Sequence, residues 1–163
     1  KAFLDVPKVH RRLAVVAFGD GEADETMHSV ERTGAQAADK PLADEVRAAV
    51  PEGRVLDATG VFSLLGSAEL IRRCNVLVTN DSAPQHLASA VDTPTITIFG
   101  PTVPSFGFGP LAHHSLTIGH EELACRPCDP HGPRKCPLGH WRCMRELTPS
   151  DVAARVFSIL SST

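Results

Sequence analysis

Between Val76 and Phe99 the chain reads VLVTNDSAPQHLASAVDTPTITIF, and this stretch constrains the fold more than any other. Val76–Thr79 is a short, continuous apolar run that ends in the polar turn Asn80-Asp81-Ser82. From Pro84 onward, Leu87, Ala88 and Val91 recur at helical spacing, and the β-branched run Thr95–Phe99 follows. Two strands joined by a helix run parallel, because a parallel pair needs a crossover of this length. Strands that are apolar throughout, rather than alternating, are buried on both faces. The segment therefore predicts an α/β domain with a doubly wound parallel sheet. Such sheets bind their ligands beyond the carboxyl ends of the strands.

The rest of the chain repeats the alternation. Leu13–Phe18 is a further strand run, closed by the turn Gly19-Asp20-Gly21. A polar stretch, Glu22–Ala38, fits a solvated helix with a thin apolar face. Pro41–Val50 fits a helix with proline in its first turn. Arg54–Asp57 is a strand candidate, Ser63–Cys74 a helix, Ser115–Ile118 a strand, and Ser150–Leu160 an amphipathic helix opened by Thr148-Pro149-Ser150-Asp151.

At 163 residues the chain suits one domain able to bury a core. A net charge of -3 leaves no electrostatic footprint for nucleic acid. Seven Phe, one Trp and no Tyr offer little surface for stacking bases. No apolar run approaches the roughly 20 residues of a membrane span, and the amino-terminal stretch lacks the apolar centre of a secretion signal. The expectation is a soluble, cytoplasmic domain, with any peripheral contact to the inner membrane made through other parts of the protein or through its acceptor.

The turn at Asn80-Asp81-Ser82 joins a strand end to a helix start, where free amides and the helix dipole favour a phosphate. Ser82 adds a hydroxyl. Asp81 is suited to capping the helix or to accepting from a ligand hydroxyl, and His86, about one turn in, can donate to a phosphate. A purely structural capping turn with a surface histidine accounts for the same residues, since Asp and Ser are favoured caps.

The run Asn80-Asp81-Ser82-Ala83-Pro84-Gln85-His86-Leu87-Ala88-Ser89-Ala90, followed by Asp92-Thr93-Pro94 and by Phe99-Gly100-Pro101-Thr102, closely resembles glycosyltransferase family nine. The family includes the bacterial ADP-heptose transferases of the lipopolysaccharide inner core. The resemblance implies the carboxyl-terminal half of a GT-B enzyme, a Rossmann-like domain that binds the nucleotide sugar across residues 1–163. It also implies an amino-terminal domain, absent here, that binds the acceptor and supplies the base. On this resemblance Asp81 faces the donor sugar, Ser82 and His86 lie near its diphosphate, and Gly100 and Thr102 lie on the neighbouring loop. Ala83 stands where the family usually has glycine. Glu22, or Glu25, in the turn after the first strand is the candidate for the ribose hydroxyls, although a tight turn with a solvated acid reads the same way. The basic segment that the family places just before that strand is not legible here.

The implied function is donor binding for inverting transfer of heptose from ADP-heptose to a lipopolysaccharide acceptor, with no catalytic residue in this chain and no cofactor required for chemistry. A GT-B transferase for another nucleotide sugar, or a non-catalytic nucleotide- or metal-binding module, are the alternatives.

Four of the five cysteines, Cys125, Cys128, Cys136 and Cys143, fall within 19 residues of a loop spanning 120–143. Cys125-Arg126-Pro127-Cys128 with two further cysteines fits a tetrahedral structural zinc, with His120 or His140 as a substitute ligand. Free thiols and disulfides remain alternatives. The heptosyltransferase II branch carries a similar stretch, matched here by Arg134-Lys135-Cys136-Pro137-Leu138-Gly139-His140 and Cys143. Cys74, alone in an apolar helical pattern, is a small buried hydrophobe.

Overall fold

The computed structural model describes residues 40–49 and 57–162. The expected strand Leu13–Phe18, the turn carrying Glu22, the stretch Glu22–Ala38 and most of the strand candidate Arg54–Asp57 lie outside the described residues. Helix α1 (Lys40–Ala48) forms where proline was expected to open a helix.

From α2 onward the elements build a layered unit. Helix α2 (Leu64–Arg72) starts at Ser63, whose extended backbone turns its hydroxyl onto the Gly66 amide. Strand β1 (Leu77–Asn80), helix α3 (Ala83–Ala90), strand β2 (Thr95–Phe99) and strand β3 (Ser115–Gly119) follow, with a 3₁₀ turn at Pro104–Phe106 between β2 and β3. Helix α4 (Arg142–Arg145), a single turn, was not expected. Helix α5 (Pro149–Ser162) closes the unit. Its start is a reciprocal cap: the Thr148 amide donates to the Asp151 carboxylate and the Asp151 amide to the Thr148 hydroxyl.

The strands lie in the order β1-β2-β3, and both pairings are parallel. Leu77 stands opposite Thr95, and Thr95 opposite Ser115, so the carboxyl ends of β1 and β2 finish side by side. Alternation along the strands divides two cores. Val76, Val78, Ile96 and Ile118 meet Val156 and Ile159 of α5 on one face. Leu77 meets Ile71 of α2 and Ala88 of α3 on the other. The sheet is covered on both faces, as its apolar strands require. Burying a side chain such as Ile96, which has no exposed surface, contributes about 1.5–3 kcal/mol.

Helix α3 is locked at its far end. Asp92 takes a left-handed conformation (φ 54°) just beyond the helix and accepts from the His113 amide, while the Thr93 amide returns to Ala88. The Thr93 hydroxyl donates to the Ile71 carbonyl at 3.0 Å and ties α2 to the same corner. These contacts fix how α3 points its amino end at the edge of the sheet.

Candidate functional site

The loops leaving β1 and β2, residues 80–82 and 100–102, meet at that edge. The Asp81 amide donates to the Ile98 carbonyl at 3.3 Å. The Asp81 carboxylate accepts from the Thr102 hydroxyl at 2.8 Å. Thr102 is buried and Asp81 half-buried, so the bond is anchored on its threonine side while the carboxylate stays partly open. Asp81 therefore does not cap α3 with its side chain; it is held by the neighbouring loop.

Ser82 is the N-cap by position but not by side chain. Its hydroxyl donates to the Asn80 carbonyl at 3.3 Å and makes no cap bond to the helix. The expectation of a side-chain cap fails for a local reason. A cap hydroxyl serves the second or third helical amide. The second position is Pro84, which has none, and the third amide, that of Gln85, goes to the Ser82 carbonyl at 3.0 Å. The Ser82 and Ala83 amides take no partner among the described residues, so donors for an anion remain at the positive end of the helix. Ala83 is exposed and lies outside the left-handed region, so its methyl group meets no backbone strain there. His86 is exposed one turn further along.

Gly100 is buried on the opposing loop, and its lack of a side chain makes room for α4. A Cβ there would stand 2.5 Å from the Met144 sulfur. The expected Gly100 and Thr102 thus divide their work: Gly100 admits Met144 to the loop, and Thr102 reaches Asp81.

Two residues that sequence reasoning passed over are central to this corner. Gln85 is fully buried on α3, with its amide nitrogen donating to the Phe108 carbonyl. Its Oε1 and the Thr97 hydroxyl of β2 are buried without a partner among the described residues. Arg126, in the cysteine segment, donates to the Phe99 and Thr102 carbonyls at 3.1 and 2.8 Å. Neither has a sequence signature, because a first-turn glutamine and a loop arginine are normally solvated.

All four clustered cysteines are free thiols, which sets the disulfide alternative aside in this structure. Backbone amides of the loop, Trp141's foremost and those of Leu138, His140 and Gly139, converge on Cys136 and lower its thiol pKa. Burial first, then neighbouring cysteines, raises those of Cys128 and Cys143. Burial alone raises that of Cys74, which fits its reading as a small hydrophobe. Among the described residues no three potential ligands are drawn together into a metal site. His120 Nε2 lies 2.7 Å from the Glu146 carboxylate, which Arg142 also grips. His140 stands 3.8 Å from the Cys125 sulfur and accepts the Arg142 amide on Nδ1. That bond places the proton of the neutral ring on Nε2, toward Cys125. A depression lined by His113, Ser115, Ser158 and Ser162 lies at the amino-terminal end of β3, away from this corner. No described helix is long and apolar enough to cross a membrane.

A parallel sheet covered by helices on both faces, with an anion-suited helix start at its carboxyl edge, has the form of a Rossmann-like α/β domain. The family model for glycosyltransferase family 9 (heptosyltransferase) matches residues 24–141. The chain belongs to that family. It is 38% identical over 131 residues to lipooligosaccharide heptosyltransferase 2 of Haemophilus influenzae, a match covering 77% of this chain and 36% of that protein. It is 29% identical over 138 residues to lipooligosaccharide heptosyltransferase 2 of Campylobacter jejuni serotype O:2, covering 83% of this chain and 42% of that protein. The solved ADP-heptose lipopolysaccharide heptosyltransferase II of E. coli superposes with a TM-score of 0.64 at 22% identity, over 92% of this chain and 37% of that one. That likeness establishes the fold. The chain spans about two fifths of the length of these relatives.

Proposed function

We propose that this chain is the donor-binding domain of an inverting heptosyltransferase that uses ADP-heptose and a lipopolysaccharide core acceptor in the cytoplasm. The observation that carries the reading is the Thr102–Asp81 bond, which joins the two loops at the carboxyl edge beside the unpartnered amides of Ser82 and Ala83. Family membership and the heptosyltransferase relatives support the chemistry.

In this reading the two amides and His86 face the diphosphate, and Asp81 accepts from a hydroxyl of the sugar. Transfer proceeds by attack of an acceptor hydroxyl on the anomeric carbon as the bond to the diphosphate breaks. The charge developing on the departing ADP is met by donors already fixed at the helix start. The base that takes the acceptor's proton, and the acceptor contacts, belong to another domain of the full-length protein, and both must meet the donor for reaction to occur. Glu22, if it reaches the ribose, does so from a segment outside the described residues.

A structural zinc on Cys125, Cys128, Cys136 and Cys143 is a subsidiary part of the proposal. It is supported by four free thiols on one loop and by the amides gathered on Cys136, a setting that favours a thiolate. Metal analysis of protein purified without chelator tests it, with one zinc per chain expected.

Calorimetry of the full-length protein with ADP and UDP tests the main reading. Preferential binding of ADP, weakened at least about tenfold in Asp81→Ala and His86→Ala, is expected. Preference for UDP points to another nucleotide sugar, and affinity unchanged in both variants removes the site.

A further inference from the structure

The loop that carries Thr102 is held from outside the α3 corner. Three of its carbonyls are taken up by the turn Cys125–Cys128. Arg126 donates through Nη2 to Phe99 and Thr102, and the Cys128 amide donates to Pro101 at 2.9 Å. With its backbone fixed in this way, the loop presents the Thr102 hydroxyl to Asp81.

The approach of Arg126 is specific. Its two terminal nitrogens lie 2.9 and 3.0 Å from where a Cβ of Gly119 would stand, so only glycine at the end of β3 leaves the passage open. Its Nε is enclosed and has no partner among the described residues. Among those residues no carboxylate pairs with the guanidinium, and its charge reaches the thiols of Cys128 and Cys143. A buried donor without a partner is costly, and a surface arginine would avoid that cost. What the placement does achieve is a single nitrogen, Nη2, donating to two carbonyls of the loop three residues apart.

We infer that Arg126 is a positioning residue for donor binding: it holds the loop at residues 99–102 so that Thr102 fixes the Asp81 carboxylate. The inference rests on the donor site proposed above. The cysteine segment, in which no chemical step is placed, thereby becomes a strut of that site.

The test is steady-state kinetics of the full-length enzyme with Arg126→Met, Arg126→Lys, Thr102→Val, the Arg126→Met/Thr102→Val double variant and Asp81→Ala. Arg126→Met raises the donor KM about tenfold and leaves the acceptor KM unchanged. Arg126→Lys recovers part of the loss. The double variant is no worse than the poorer single one, because both changes release the same carboxylate. Losses that multiply in the double variant overturn the inference. So does a fall in turnover with both KM values unchanged, which marks Arg126 as merely structural; that outcome covers variants that fold poorly. If Asp81→Ala impairs donor use while the Arg126 variants do not, the inference fails and the donor site stands. If Asp81→Ala has no effect, the site itself is wrong, and the inference falls with it.

Discussion

The Thr102 hydroxyl donates to the Asp81 carboxylate at 2.8 Å across 21 residues of sequence, joining the loops that leave two adjacent parallel strands. Both loops are otherwise held through their backbones, Asp81 to Ile98, Pro101 to Cys128, and the Phe99 and Thr102 carbonyls to the Arg126 guanidinium. The Thr102 hydroxyl is the bond that reaches the carboxylate itself and sets how it faces the corner.

Replacing Thr102 by Val keeps the shape and removes the donor. Denaturant unfolding should show a loss of about 1 kcal/mol, the usual net value of such a bond. Thr102→Ser should retain most of it. A Val variant as stable as the parent would show that the link is weaker than its geometry.

The cysteine loop should titrate in a fixed order. Amides converging on Cys136 lower its thiol pKa, whereas burial and neighbouring cysteines raise those of Cys128 and Cys143. Because the thiolate is the nucleophile, iodoacetamide should label Cys136 at lower pH than the other two in metal-free protein, as read by peptide mass spectrometry. Added zinc should protect all four clustered cysteines if the subsidiary proposal holds.

Stability should acquire an acid limb from α2. Glu69 accepts from Arg72 at 2.6 and 2.7 Å and from Arg73 at 2.7 Å, and these bonds lower its pKa from 4.5 to about 2. A carboxylate with a depressed folded-state pKa binds fewer protons folded than unfolded. Its contribution is complete above about 4.5 and fades as pH falls toward 2. Glu69→Gln should flatten thermal stability across that window and leave its pH dependence above it unchanged.

The core on the α5 face predicts a larger effect. Ile96 has no exposed surface and packs among Val78, Ile118 and Val156, so Ile96→Ala should cost about 2–5 kcal/mol. Val61→Ala, at an exposed position, should fall within about 0.5 kcal/mol of the parent.

Much of the fold was legible because it rests on local pattern. The run Thr95–Phe99 is a strand with the bounds read from sequence, and the helix after Asp81 begins within a residue of the expected Pro84. The strand expected at Val76–Thr79 is displaced by one residue, because the ladder begins where the Leu77 amide meets Pro94. Motif also brought Asp81, Ser82, His86, Gly100 and Thr102 to attention as a group. What sequence could not show is which partner each side chain takes. Asp81 has a helix to cap in sequence but a buried threonine from a distant loop in space. His120 stands beside four cysteines in sequence, and its Nε2 meets the Glu146 carboxylate in space. Gln85 and Arg126 were missed because their partners lie 23 to 27 residues away, which no local period encodes.

The account is tested most directly by hydrogen–deuterium exchange of the full-length protein with and without ADP. It predicts slowed amide exchange in peptides covering 81–86 and 100–103, at the meeting point of the two loops. Protection confined to peptides around 113–116 and 158–162, at the other end of β3, would contradict it.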